Sequence, residues 1–446
     1  MKKRAIPSLF AALFALSLAS CGISGETPSG SGSFSMSQGD STSNNLRFKL
    51  NSEGTSYEVS AGKYKLEGDI VIPSTYKGLP VRGVADRGFN NSLITSISLP
   101  DSIVYIGESA FEHCHGLAEV RLSSLLAMIS EKAFYECRSL KKADVPSSVR
   151  IIGQSAFEGC KDLSSLKLSE GLTFISAYAF RGCSSLLSLT IPDEMTRIGS
   201  FAFDNCTSLK SVSLPSELYQ INAGAFARCT SLESFEVREH SIKNLSVKEG
   251  ILFDEEGTTI ISFPSGKDSV YVPDGTLFIG EGAYARADME VIRIPSSVLA
   301  IGEYAFYECD SLKTVNFGSS VSLIQNSAFE NCSALEVISL PSSIRTVSKN
   351  AFSECESLLT VSFPDAPLTI GDCALSKCTS LSNVTMGKSI SSIGSQAFSD
   401  DSSLESIAYL GTMEDWENVT KHPSWKGSAL RTVSCTDGDI SFRSTN

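Results

Sequence analysis

Apolar and polar positions alternate along this chain in two nested rhythms. The short one is that of a strand: in Ser208-Leu209-Lys210-Ser211-Val212-Ser213-Leu214-Pro215, Leu209, Val212 and Leu214 fall on the inward side. Pro215 ends the run, because proline cannot donate to the next ladder bond. The long rhythm is the pair Ala-Phe, which recurs every 23 residues at Phe111, Phe134, Phe157, Phe180, Phe203 and Phe226, and again at Phe306, Phe329, Phe352, Leu375 (as Ala-Leu) and Phe398. Looser copies at Phe89 and Tyr284 bring the count to thirteen coils. Between two strands the chain returns along the opposite side of its coil, as in Met195 to Phe203, with Ile198 and Phe203 inward and Gly199 between them. No helical periodicity lasts beyond a few residues, so turns, short strands or 3₁₀ pieces are expected there.

One coil cannot bury its apolar face alone, whereas stacked coils share a continuous core. A fixed period of this length marks a leucine-rich solenoid. The predicted fold is therefore a right-handed leucine-rich-repeat solenoid of 23-residue coils, mostly β, with a parallel sheet on one face. The repeat Pro-Ser-Ser-Val-x-x-Ile-Gly-x-x-Ala-Phe-x-x-Cys-x-Ser-Leu, as in Pro146 to Leu163 with Asp162 at the Ser position, resembles the BspA-like leucine-rich repeats of bacterial surface antigens. The resemblance runs from about Tyr57 to Ser434. It implies surface display and protein binding, in some members adhesion to host proteins or to other bacteria, without implying one ligand.

The register breaks between Val237 and Tyr271, where Gly250 to Pro264 reads as two apolar strands around an acidic turn, a hairpin signal. A displayed recognition loop is the alternative there. The two ends must cover the open edges of the stack. Tyr57-Glu58-Val59 with Asp69 to Pro73 reads as the N-terminal cap, and Tyr409 to Cys435, with Trp416 and Trp425 as packing residues, resembles the family's terminal segment. Residues 46–88 thus form the cap and first irregular coil, 89–237 and 273–408 the two repeat blocks, 238–272 the irregular coil, and 409–446 the C-terminal cap.

The N-terminus changes where such a solenoid resides. Lys2, Lys3 and Arg4 precede an apolar run from Leu9 to Ala19, which reads as an export signal over residues 1–20 and is too short for a stable membrane span. Leu18-Ala19-Ser20-Cys21 resembles the bacterial lipobox, which implies a diacylglycerol on Cys21 and several acyl chains for durable anchoring. The Gly-, Ser- and Asn-rich remainder of residues 21–45 reads as a flexible tether. The expected location is outside the cytoplasm, anchored to the cell membrane or outer membrane through lipid only; Gly22 lacks the Asp that retains such proteins at an inner membrane.

A formal net charge of −13 without a basic stripe argues against nucleic acid. Of thirteen cysteines, Cys114, Cys137, Cys160, Cys183, Cys206, Cys229, Cys309, Cys332, Cys355 and Cys378 follow their coil's anchor by three residues, which makes them a structural ladder. A column of thiols offers no tetrahedral closure for zinc. Stacked neighbours at about 4.8 Å lie within disulfide range, yet side chains stacked in parallel point to a reduced ladder. His113-Cys114-His115 reads as a solvent-facing position of the repeat, and His240 and His422 are the only other histidines, so bases for a Ser-His-Asp arrangement are scarce. Gly280 to Ala285 fits G-x-G-x-x-A but is the repeat's own Ile-Gly-x-x-Ala-Phe. No cofactor, metal or catalytic residue is assigned, and the chain is read as not an enzyme.

One outward strand column runs through Ser98, Arg121, Asp144, Lys167, Thr190, Ser213, Glu236, Arg293, Asn316, Ser339, Ser362, Thr385 and Ala408. Its candidate binding residues are Arg121, Asp144, Lys167, Glu236, Arg293 and Asn316. The leading expectation is a surface lipoprotein that binds an extracellular protein or cell-surface ligand through this face. A structural, self-associating envelope protein is the alternative, and a glycan-active protein would need paired carboxylates that the repeat lacks.

Overall fold

Each turn of the chain is held by its neighbours rather than by itself. The computed structural model describes residues 45–62, 66–238 and 244–442; the signal segment, Cys21, the tether up to residue 44 and His240 lie outside the described residues. About 16 coils stack, more than the thirteen counted from Ala-Phe pairs. The terminal turns and the irregular coil supply strands without that pair, so a count based on it misses them.

On one face lie strands of mostly three to five residues, such as Ser188–Thr190 and Ser211–Pro215, paired in parallel with Leu189 opposite Val212. On the second face most strands are two residues long: Met128–Ile129, Ile151–Ile152, Phe174–Ile175 and Arg197–Ile198 pair in parallel register. Their second residues, Ile129, Ile152, Ile175 and Ile198, are fully buried. The Ala-Phe turns close each coil and stack Phe rings through the body. Phe111 and Phe134 lie 5.2 Å apart at 8°, and Phe180 and Phe203 5.2 Å apart at 3°. Turns around the anchor place non-glycine residues in the left-handed region, among them Ser155, Glu136 and Asn205. Their N–H groups donate to the next coil, as Ser155 does to Ala177 and Glu136 to Glu158, so an inter-coil bond offsets the backbone strain.

The register break is a joint. Leu245–Lys248, Ile251–Asp254 and Thr259–Ser262 form an antiparallel meander, and its last strand pairs in parallel with Phe278–Ile279. Within the central strand, Leu252 joins the core of the first block while Ile251 and Phe253 join that of the second. All three are buried, so the central strand is core, while Lys248 and Glu249 at one turn and Glu255 and Glu256 at the other are exposed. The turn sides of the two blocks also meet directly: a Cβ on Gly282 would lie 2.4 Å from the Gly224 nitrogen.

Both ends are closed by antiparallel strands, Leu46–Leu50 on Tyr57–Ala61 and Gly438–Ser441 on Thr432–Cys435. At the C-terminal end the helix Met413–Asn418, started by a Thr412–Asp415 capping box, places Trp416 5.0 Å from Tyr409 and 5.6 Å from Trp425. Both tryptophans are buried as packing. Among the described residues no helix is long and apolar enough to cross a membrane.

Candidate interaction surfaces

Alternation on the first face sends every second side chain outward, so the candidate residues project from the sheet. Arg121, Asp144, Lys167, Glu236, Arg293 and Asn316 are all exposed. Parallel register sets Asp144 beside Lys167, Ser213 beside Glu236, and Arg293 beside Asn316. The column is not one continuous surface, since Ser234–Arg238 and Val291–Arg293 do not pair across the joint. Two shallow hollows open on the first block. One, of about 430 Å³, is bordered by Arg121, Lys142 and Asp144; the other, of about 320 Å³, by Lys167, Thr190 and Arg238. Arg238 closes the second, donating from Nη2 to the Ile191 carbonyl and Asp193 and from Nη1 to Ser213 Oγ. Lys142 binds Asp144 at 2.7 Å, which leaves Arg121 and Lys167 as the freer charges there.

The thiol ladder faces inward. All ten ladder cysteines are fully buried, and every described cysteine is free. Each ladder Sγ donates to the carbonyl of the preceding coil's anchor, for example Cys137 to Phe111 at 3.1 Å and Cys332 to Phe306 at 3.1 Å. At Phe111, Phe134, Phe157, Phe180, Phe203 and Phe329 the same carbonyl also accepts its own coil's Cys N–H, so both lone pairs are used. Burial pushes the Cys114 thiol up to about 12 and Cys137, Cys160 and Cys378 well above the usual range. Since the thiolate is the reactive form, this chemistry is structural. At the next ladder position stands Asp401, 2% exposed, whose Oδ1 accepts the Cys378 N–H at 2.8 Å. His113 sits at a left-handed turn, half-exposed, and His115 lies against the Glu136 carbonyl. Among the described residues no group of three or more His, Cys, Asp or Glu is placed to hold a metal ion.

This repeat geometry has relatives. A profile of the BspA-type leucine-rich repeat region, in six copies, matches residues 82–206, 127–248, 173–270 and 277–410. The chain belongs to the BspA-type leucine-rich repeat family. Solved structures with the same fold include a leucine-rich cell surface protein of Faecalibacterium prausnitzii, 23% identical over 87% of this chain and 98% of that one, with a TM-score of 0.51. A leucine-rich repeat protein of Bacteroides ovatus is 28% identical over 86% and 97% of the two chains, with a TM-score of 0.51. The pneumococcal vaccine antigen PcpA is 22% identical over 86% and 96%, with a TM-score of 0.52. No curated protein matches. As a BspA-type protein the chain is a repeat scaffold of the kind that binds other proteins.

The BspA-type coil also presents a second surface, one that strand periodicity does not reveal. The first residue of each short second-face strand points outward, and in the first block the row runs from Tyr105 at 37% and Met128 at 40% exposure through half-buried Ile151 and Phe174 to exposed Arg197 and half-buried Gln220. The second block repeats this with Phe278, Ala300 and Leu323 before turning to Thr346 and Thr369. Period 2 cannot be recognised in a two-residue strand, so although the 23-residue repeat aligns these residues, no sequence signal marks them as facing outward.

Proposed function

We propose that this BspA-type protein is a surface lipoprotein, exported and held by acylation of Cys21, that uses its repeat body to bind a partner protein in adhesion to host material or to other cells. The observation that carries this reading is the exposed, in-register strand column with mixed charge and no grouped catalytic side chains among the described residues. Surface residues aligned by a rigid scaffold suit recognition, and the Faecalibacterium relative is described as a cell surface protein.

The test uses residues 42–446, which hold both cores and form one compact unit, against matrix proteins, plasma proteins, mucins and whole bacteria. Saturable binding that Arg121→Ala with Lys167→Ala weakens by about tenfold, equivalent to ~1.4 kcal/mol, supports the sheet face. Absence of binding across the panel removes the adhesive reading. For the anchor, mass spectrometry of the membrane fraction should find diacylated Cys21 and release of the protein by Cys21→Ser; an unmodified cysteine overturns that assignment.

A further inference from the structure

We propose that Asp401 is a proton-carrying rung of the thiol ladder, whose Oδ2–H donates to the Leu375 carbonyl, and that loss of this proton releases the C-terminal cap. Asp401 follows Cys378 by 23 residues and holds the ladder position of its coil. A ladder Sγ donates to the anchor carbonyl 26 residues before it, Cys355 to Phe329 and Cys378 to Phe352, both at 3.2 Å. By the same spacing the carbonyl that belongs to Asp401 is that of Leu375, the anchor of the preceding coil. Leu375 is fully buried, and among the described residues no hydrogen bond to its carbonyl is formed. The Cys378 N–H, whose counterpart on Cys332 donates to the anchor carbonyl of its own coil, goes instead to Asp401 Oδ1. Asp401 Oδ2 is also buried and has no hydrogen-bonding partner. Two buried oxygens, both acceptors when the carboxyl is ionised, are thus left unpaired at matching places of one ladder. One proton on Oδ2 satisfies both, because a neutral carboxyl is an O–H donor and buried polar groups are paired in folded proteins. The carboxyl is one atom longer than a thiol, enough to replace a sulfur contact by an O–H···O bond of about 2.7 Å.

An ionised Asp401 would stand without a counter-charge. Asp400 beside it has the same sign, Lys377 of the preceding coil is bound to Glu354, and Lys426 of the cap lies 4.7 Å over the Phe442 ring. Burial holds Cys378 as a neutral thiol, and Glu405 and Arg431 are exposed on the strand side. The turn that carries Asp401 also carries the cap. Phe398 donates its N–H to the Trp425 carbonyl and bridges Lys426, and a Cβ on Gly427 would lie 2.7 Å from the Phe398 carbonyl oxygen. The Asp401 carbonyl accepts the Leu404 N–H, and Leu404 leads into the strand Ser406–Tyr409, on which Thr432–Cys435 pairs. This coil has a regular coil on one side only, so opening here breaks one inter-coil interface where opening inside the stack breaks two. Deprotonation therefore loosens the cap before it unfolds the body.

Trp416 and Trp425 are the chain's two tryptophans and both lie in the cap, so fluorescence of residues 42–446 reads the cap alone. Between about pH 6 and about pH 10, a range above the ordinary carboxylate values, a reversible red shift is expected with its midpoint at about 8. The circular dichroism of the repeat body should stay unchanged, and an infrared band of a protonated carboxyl should disappear over the same range. Asp401→Asn, whose amide donates to Leu375 and accepts from Cys378 without titrating, should abolish both the band and the shift. Asp401→Cys, which restores a thiol donor at the rung, should abolish them too and tests the ladder geometry separately. Lys421, whose ammonium lies 4.9 Å over the Trp416 ring and is pushed below its usual range by burial, is kept in both variants. A red shift that survives the substitutions therefore belongs to another group and overturns the proposal. It is overturned equally by the lack of a carboxyl band that Asp401→Asn removes, or by loss of that band with the cap fluorescence constant.

Discussion

Two glycines in adjacent coils illustrate how differently the same residue type is required. Gly182 has a φ of +72° but open space around it, the nearest atom to an added Cβ being 3.9 Å away. Glu136 and Asn205 hold the same left-handed position in nearby coils, so Gly182→Ala should cost only about 1 kcal/mol of backbone strain. Gly199 needs no unusual φ; an added Cβ would lie 2.5 Å from the Ala177 nitrogen and 2.6 Å from the Ser176 carbonyl carbon of the preceding coil. Gly199→Ala must push neighbouring backbones away from each other and should cost about 3 kcal/mol or more, and urea unfolding of the two variants separates these cases. Asp401 supplies a pH-dependent case. Burial, opposed by the Cys378 N–H and reinforced by Asp400, raises its carboxyl to about 8. The folded protein then keeps a proton that the unfolded chain releases, so stability falls as pH rises from about 4 through about 8 and levels off above. Asp401→Asn should flatten that segment of the curve in urea unfolding measured across pH, and an unchanged slope would count against a protonated Asp401.

At the scale of elements, the meander at the joint governs how the two blocks melt. Phe253 is 2% exposed and lies in the second core while its neighbour Leu252 lies in the first. Phe253→Ala should cost about 3 to 5 kcal/mol. Because solenoid stability is a sum over coils and the interfaces between them, weakening this interface should split one denaturation transition into two. Val337→Ala, at an outward strand position 44% exposed, should leave both within about 0.5 kcal/mol. The paired strands Ile251–Asp254 and Thr259–Ser262 are legible as apolar runs around a turn. The strand Leu245–Lys248 is not, because its alternation, Leu245 and Val247 apolar with Ser246 and Lys248 polar, lasts only four residues and stands outside the repeat register that makes the other short strands recognisable.

Across the whole molecule, the first and second blocks are clasped on their turn side by charges far apart in sequence. Arg286, with 9% of its side chain exposed, binds Asp204 Oδ2 through Nη1, 82 residues away, and Glu308 through Nε at 2.8 Å. Its guanidinium also lies 4.8 Å over the Phe201 ring, and Arg181 reaches Asp204 at 3.2 Å. Burial raises the Asp204 carboxyl in spite of these arginines. Arg286→Met should destabilise the protein by about 3 kcal/mol, since it leaves a buried carboxylate short of its partner. Adding Asp204→Asn should recover some of that loss in thermal unfolding, the coupling expected of groups in direct contact. Additive effects would mean the clasp contributes nothing as a pair.

The coil length, the inward residues, the anchor aromatics and the thiol ladder were all determined by the sequence itself. Each follows from a repeat of 23 residues in which a position's burial depends on its place within one coil. The use of Gly199 as a close-approach residue, the sealing of both cores by Phe253 and its neighbours, the Asp204–Arg286 clasp and the outward row from Tyr105 to Gln220 were decided only by the tertiary structure. These depend on which coil lies beside which after an irregular joint and on where two-residue strands point. Side-chain periodicity is a local property, whereas alignment across coils is set by how the whole stack packs.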